Sequence, residues 1–149
     1  MSYATRDEMY QVHQKEIDAF PLVFAFNDEQ FREGITKTWG LDASNPDDLK
    51  QIRKLPMNGG FILAKDVKRF LELLDRHDKE KKEFANSFKN LVDIIVYEMN
   101  NHEYSYCPYE VEDEIRDTLE TYQNHPRFEE AWNKAKCKVL KAAGYEAYQ

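Results

Sequence analysis

Between Phe84 and Met99 the chain repeats apolar residues at helical spacing: Phe84, Phe88, Leu91, Val92, Ile95, Val96 and Met99. A stripe with a period near 3.6 belongs to an amphipathic helix whose apolar face is covered by other elements. It is the longest such stripe in the sequence, so the spacing predicts a central helix around which the remaining elements pack. At its end the pattern gives way to Asn100-Asn101-His102-Glu103-Tyr104-Ser105-Tyr106, a polar, aromatic and titratable run. A run of this kind at a helix end reads either as a cap or as a site.

The other periodicities predict smaller elements. Met9, Val12, His13 and Ile17 predict a first helix over residues 5–18. Leu22 to Phe26, bounded by Pro21 and Asn27, predicts a short buried strand. Asn27 then stands as an N-cap, with Asp28 and Glu29 in the first turn and Gln30 at the capping-box position. Phe31, Ile35 and Trp39 form the inward face of that helix, and Gly40 stops it. Asn45-Pro46 predicts one turn of helix. Apolar residues flanking Asn58-Gly59-Gly60 predict a hairpin, with Pro56 confining its first strand to an edge. Val67, Phe70, Leu71 and Leu74 predict another helix, interrupted near Asp78 by the charged stretch Asp75–Glu83. Tyr104 to Tyr109 reads as extended, because Pro108 argues against helix there. Helices over Glu110–Tyr122 and from His125-Pro126 to Gly144 complete the chain, with a short tail from Tyr145 to Gln149. Together these predict an α+β fold, mainly helical, as one domain over residues 1–149 with a two- or three-stranded sheet.

Charge and cysteine usage exclude several functions. The net charge is −7, whereas a sequence-independent hold on nucleic acid needs Lys and Arg against phosphates. No direct nucleic-acid partner is expected; a basic protein surface is. Cys107 and Cys137 are too few for a disulfide scaffold, which argues for thiols in a reducing compartment. The polar, acidic N-terminus is no signal peptide, and no apolar run approaches the roughly 20 residues that span a bilayer. A cytoplasmic location without a membrane partner is therefore expected.

The candidate sites carry different weights. His102-Glu103 begins like a zinc-protease helix motif, but the fifth position is Tyr106 and the second histidine is missing. Glu98 and His102 share a helix face, and two ligands are too few for a stable metal site. Gly59-Gly60 lacks the remainder of a phosphate loop, and Cys107 with His102 matches no general nucleophile motif. No metal, cofactor or catalytic residue is assigned. The candidate binding residues are Asn27, Asp28, Glu29, Asn101, His102, Glu103 and Tyr104. Both segments end strongly apolar stretches, and the expectation is that they meet in space, with Asp28 or Glu29 raising the imidazole pKa of His102. A second candidate is the acidic face Glu110, Glu112, Asp113, Glu114 and Asp117, which suits a basic groove or ordinary solvation.

Phe24-Ala25-Phe26-Asn27-Asp28-Glu29-Gln30-Phe31 with Gly34, Gly59-Gly60-Phe61-Ile62, and Asn101-His102-Glu103-Tyr104-Ser105-Tyr106 together resemble an uncharacterised family of small proteins from gut bacteria, their phages and mobile elements. The resemblance runs from about Phe20 to Tyr109 and leaves the C-terminal helices outside it. It implies a small accessory protein that binds a host protein, in its sharpest form an anti-CRISPR-like inhibitor of a host defence nuclease. The alternatives are a small enzyme or ligand-binding protein with a pocket around His102, Glu103, Tyr104 and Asp28, and a structural homo-oligomer.

Overall fold

The computed structural model describes residues 2–56 and 59–145. Met57 and Asn58, inside the expected hairpin turn, and residues 146–149 of the expected tail lie outside the described residues. The architecture is α+β and mainly helical, with seven α-helices and a three-stranded antiparallel sheet among the described residues. The chain divides into two compact units, one made of Met1–Tyr10 with His77–Gln149 and the other of Gln11–Arg76. Helices α1 (Arg6–Asp18) and α4 (Val67–Phe84) contribute to both.

In the unit Gln11–Arg76, strands β1 (Val23–Phe24), β2 (Ile52–Lys54) and β3 (Gly60–Leu63) pair antiparallel in the order β1-β3-β2. Val23 faces Phe61, and Lys54 also faces Phe61 from the other side. Leu55 N–H donates to Gly60 O at 2.9 Å and closes the expected hairpin. The strand preceding Pro56 lies at the sheet edge, where a missing N–H costs no ladder bond. The first strand differs from expectation. Val23 and Ala25 are buried, whereas Phe24 and Phe26 are 52% and 73% exposed. An edge strand with one covered face alternates, and a run of five apolar residues conceals that alternation.

Helix α2 (Asp28–Trp39) covers the Val23 face. Asn27 Oδ1 accepts from Gln30 N–H at 2.8 Å, and Gln30 Oε1 accepts from Phe26 N–H at 2.9 Å, one residue before the cap. Gly34 lets the helix come close: a Cβ there would lie 2.6 Å from Val23 Cγ1. Phe31 packs on Phe61 with ring centroids 4.8 Å apart, Ile35 is fully buried, and Trp39 Nε1 donates to Pro21 O at 3.1 Å. The single turn α3 (Pro46–Leu49) starts on an Asn45 cap as expected.

Helix α4 continues through the charged stretch, and the expected break near Asp78 is absent. All of Asp75–Glu83 tolerates helix, and the buried side of this segment is polar: His77 and Glu80 are 3% and 7% exposed. Tyr3 O–H donates to Glu80, and Lys82 pairs with Asp78 one turn away at 2.9 Å. The interruption falls at Ala85–Ser87. Ser87 caps α5 (Phe88–Asn101), and Asn90 Nδ2 reaches back to Phe84 O at 3.1 Å.

Helix α5 is the expected core element from Phe88 onward, whereas Phe84, the first residue of the expected stripe, closes α4. Leu91, Val92, Ile94, Ile95 and Met99 are buried against Ala131, Trp132, Ala135, Val139 and Leu140 of α7 (Phe128–Ala142) and Ile115 of α6 (Pro108–Thr118). The segment Tyr104–Tyr109 is not extended. Residues 102–106 form turns, and Pro108 occupies the first turn of α6, where a missing N–H costs nothing. Helix α6 thus starts before Glu110 and ends at Thr118, followed by one 3-10 turn, Glu120–Tyr122.

Candidate functional site

The segment after α5 is built first of all as a helix terminus. Tyr104 N–H donates to Met99 O at 2.9 Å and Glu103 N–H to Asn100 O at 3.2 Å. This pair of bonds is a Schellman motif with Glu103 at the left-handed position, φ 54°. At the end of α7 Gly144 holds the same place, with φ 96° and bonds from Tyr145 to Leu140 and from Gly144 to Lys141. Met99 and Tyr104 are both buried, as the motif's hydrophobic contact requires, and Tyr104 meets the Trp132 ring edge-on at 6.0 Å. Asn100 and Asn101 are exposed.

His102 sits between two carboxylates at this cap. Its Nε2 lies 3.7 Å from Glu98 and its Nδ1 3.9 Å from Glu114 of α6. Glu98 is buried and faces Arg6 at 3.6 Å, and the Arg6 guanidinium lies over the rings of Tyr97 and Tyr10. Arg6 of α1, Glu98 and His102 at the end of α5, and Glu114 of α6 follow one another in space, with the His102 ring between the two carboxylates. Beside it Tyr10 and Tyr122 share a hydrogen bond at 3.1 Å, and burial pushes both phenols above their ordinary range. Burial also lowers the Lys81 ammonium, which stands over the Tyr10 ring.

Asn27, Asp28 and Glu29 form the first turn of α2 in the unit Gln11–Arg76, whereas Asn101, His102, Glu103 and Tyr104 belong to the other unit. Asn27 spends its side-chain oxygen on the cap, and Asp28 and Glu29 are exposed where the helix dipole favours anions. Gly59 and Gly60 lead into a strand, not a helix, and lie against the rings of Phe26 and Phe24. They have no phosphate-loop geometry.

The acidic face of α6 divides by role. Glu112 pairs with Arg116 at 3.2 Å, and Arg116 also grips Glu129 of α7 at 2.7 Å while lying over the Trp132 ring. Those hydrogen bonds hold the Glu129 carboxyl below its ordinary range. Glu114 stands beside His102. Glu110, Asp113 and Asp117 are exposed on successive turns and make no ion pair among the described residues.

Two residues missing from the candidate set stand next to this face. Tyr106 and Tyr109 are 85% and 88% exposed, more than any other large apolar or aromatic side chain among the described residues. The sequence carries a signal for them: both fall outside the inward pattern Val111, Ile115, Leu119, and Pro108 between them marks a helix start. Cys107 and Cys137 are free thiols. Among the described residues no three His, Cys, Asp or Glu side chains are arranged to hold a metal ion, and no helix is long and apolar enough to cross a membrane.

No curated protein and no solved structure matches the chain. A family of unknown function, DUF7659, matches residues 5–138, which extends beyond the Phe20–Tyr109 resemblance into both C-terminal helices. With the cap, the acidic helix and most of the buried core inside the matched span, the chain belongs to DUF7659, a family of unknown function.

Proposed function

We propose that this chain is a small acidic accessory protein of the phage or mobile-element type that acts by binding a host protein with a basic surface. Inhibition of a host defence nuclease, in the manner of an anti-CRISPR protein, is the sharpest form of that reading. One observation carries it: Tyr106 and Tyr109 stand almost fully in solvent beside Glu110, Asp113 and Asp117. Tyrosines are enriched at interfaces and among the residues that dominate binding energy. The surrounding carboxylates repel phosphate and steer a cationic partner.

The test is affinity capture from a host extract with the wild-type chain and with the Tyr106→Ala/Tyr109→Ala variant. A protein retained by the first and lost by the second is then purified and titrated at low and high salt. The proposal expects a basic partner whose affinity falls with ionic strength. Identical captured sets, or a partner whose binding ignores salt, would refute it.

A further inference from the structure

We infer that a cavity between the end of α4 and the turn after α6 binds a small uncharged molecule with an amide-type hydrogen-bonding edge, of the nucleobase or carboxamide kind. The cavity measures about 290 Å³, at the lower edge of small-molecule sites. Ala85 and the ring of Tyr122 are its buried lining. The Tyr122 hydroxyl is already engaged by Tyr10, so this residue offers the cavity its ring.

Apart from Lys82, the polar groups around that lining are neutral, and the exposed carboxamides of Asn86 and Asn124 stand at its rim. Asn86, Thr121 and Asn124 line the cavity, and their side chains make no hydrogen bond among the described residues. A carboxamide carries a donor and an acceptor side by side, the pattern that matches an amide or the edge of a base. His125 adds a defined donor. Its Nδ1 accepts from Arg127 N–H at 3.0 Å, so the neutral ring carries its proton on Nε2.

Charge disfavours ionic ligands. Lys82 is the one charged residue in the lining, and its ammonium lies 2.9 Å from Asp78. That pair and the net charge of −7 disfavour an anion. Among the described residues no carboxylate lines the cavity to hold a cation.

The backbone of both walls is held by hydrogen bonds of its own. Asn86 N–H donates to Glu83 O at 3.1 Å, and Asn90 ties the same turn to Phe84 O. Opposite, His125 N–H donates to Tyr122 O at 3.0 Å, Phe128 N–H donates to His125 O at 3.0 Å, and the Gln123 side chain reaches Arg116 O. A backbone held in advance loses little affinity to ordering.

The experiment is a titration of the full chain with adenosine, uridine, nicotinamide and adenosine monophosphate, followed by amide NMR shifts. Expected are saturable shifts at Asn86, Asn124 and His125 with at least one of the three uncharged probes. The Asn86→Ala/Asn124→Ala variant should weaken binding at least tenfold with an unchanged melting temperature. A second pair, Thr121→Val and His125→Gln, checks the opposite wall independently. The inference is overturned if no uncharged probe shifts these residues. It is also overturned if the monophosphate binds as tightly as adenosine, or if all the variants bind like the wild type. It stands apart from the tyrosine surface, which these substitutions leave intact.

Discussion

Replacing Glu103 by glycine should stabilise the protein. Glu103 occupies the left-handed position of the α5 terminus at φ 54°. An L-residue there brings Cβ against the following carbonyl oxygen, at roughly 1–2 kcal/mol. Glycine removes that strain but widens the unfolded ensemble, at about 0.5–1 kcal/mol. The difference spans about 0–1.5 kcal/mol and centres at about 0.8 kcal/mol in favour of Glu103→Gly, or about 2–3 °C in melting temperature for a chain of this length. Glu103→Ala is the control, since it removes the carboxylate and keeps the Cβ, and it should match the wild type. Urea unfolding at neutral pH reads all three proteins, with midpoints interpreted only where the slopes agree. A Glu103→Gly midpoint at or below the wild-type value would refute the strain argument.

Other substitutions test the packing. Ile95→Ala should cost about 2–5 kcal/mol, because Ile95 is fully buried in the α5 stripe; a loss below about 1 kcal/mol in urea would place that helix outside the core. Gly34→Ala should cost about 1–3 kcal/mol, because its Cβ would meet Val23 at 2.6 Å; wild-type stability would show that α2 does not sit that close to β1. Tyr10 and Tyr122 have folded pKa values above the unfolded value. Their contribution is complete below about pH 10, the unfolded tyrosine value, and is lost progressively as pH rises above it. Tyr122→Phe should flatten the alkaline limb of stability against pH, and an unchanged limb would remove the pair from that role.

Local chemistry was legible wherever it was self-contained. The Asn27 cap and the Asn45-Pro46 turn depend on a few neighbouring residues and are found where the pattern puts them, while the hairpin's first strand ends earlier, at Lys54, and the central stripe starts later, at Phe88, because Phe84 closes α4. The errors arose where a distant partner decides. Asp75–Glu83 reads as a break because its inner face is polar; His77 and Glu80 are nevertheless buried, and only tertiary structure supplies Tyr3 for Glu80. Tyr104 to Tyr109 reads as a strand because aromatic residues favour one, yet Tyr104 closes the α5 terminus and Pro108 opens α6. The acidic helix was visible as composition. The division of its carboxylates among Arg116, His102 and solvent was not, because it depends on which residues Glu129 and the α5 terminus bring near.

The most direct test asks whether the Asn101–Tyr104 segment holds the fold while the neighbouring tyrosines bind. Stability and partner capture should be measured side by side for His102→Ala and for Tyr106→Ser/Tyr109→Ser. His102→Ala breaks the link between Glu98 and Glu114, and should lose about 0.5–1 kcal/mol while capturing the partner as the wild type does. The tyrosine variant should keep its stability within about 0.5 kcal/mol, as exposed positions do, and lose the partner. The reverse outcome, with His102→Ala stable but unable to bind and the tyrosine variant still binding, would contradict the assignment of cap and surface.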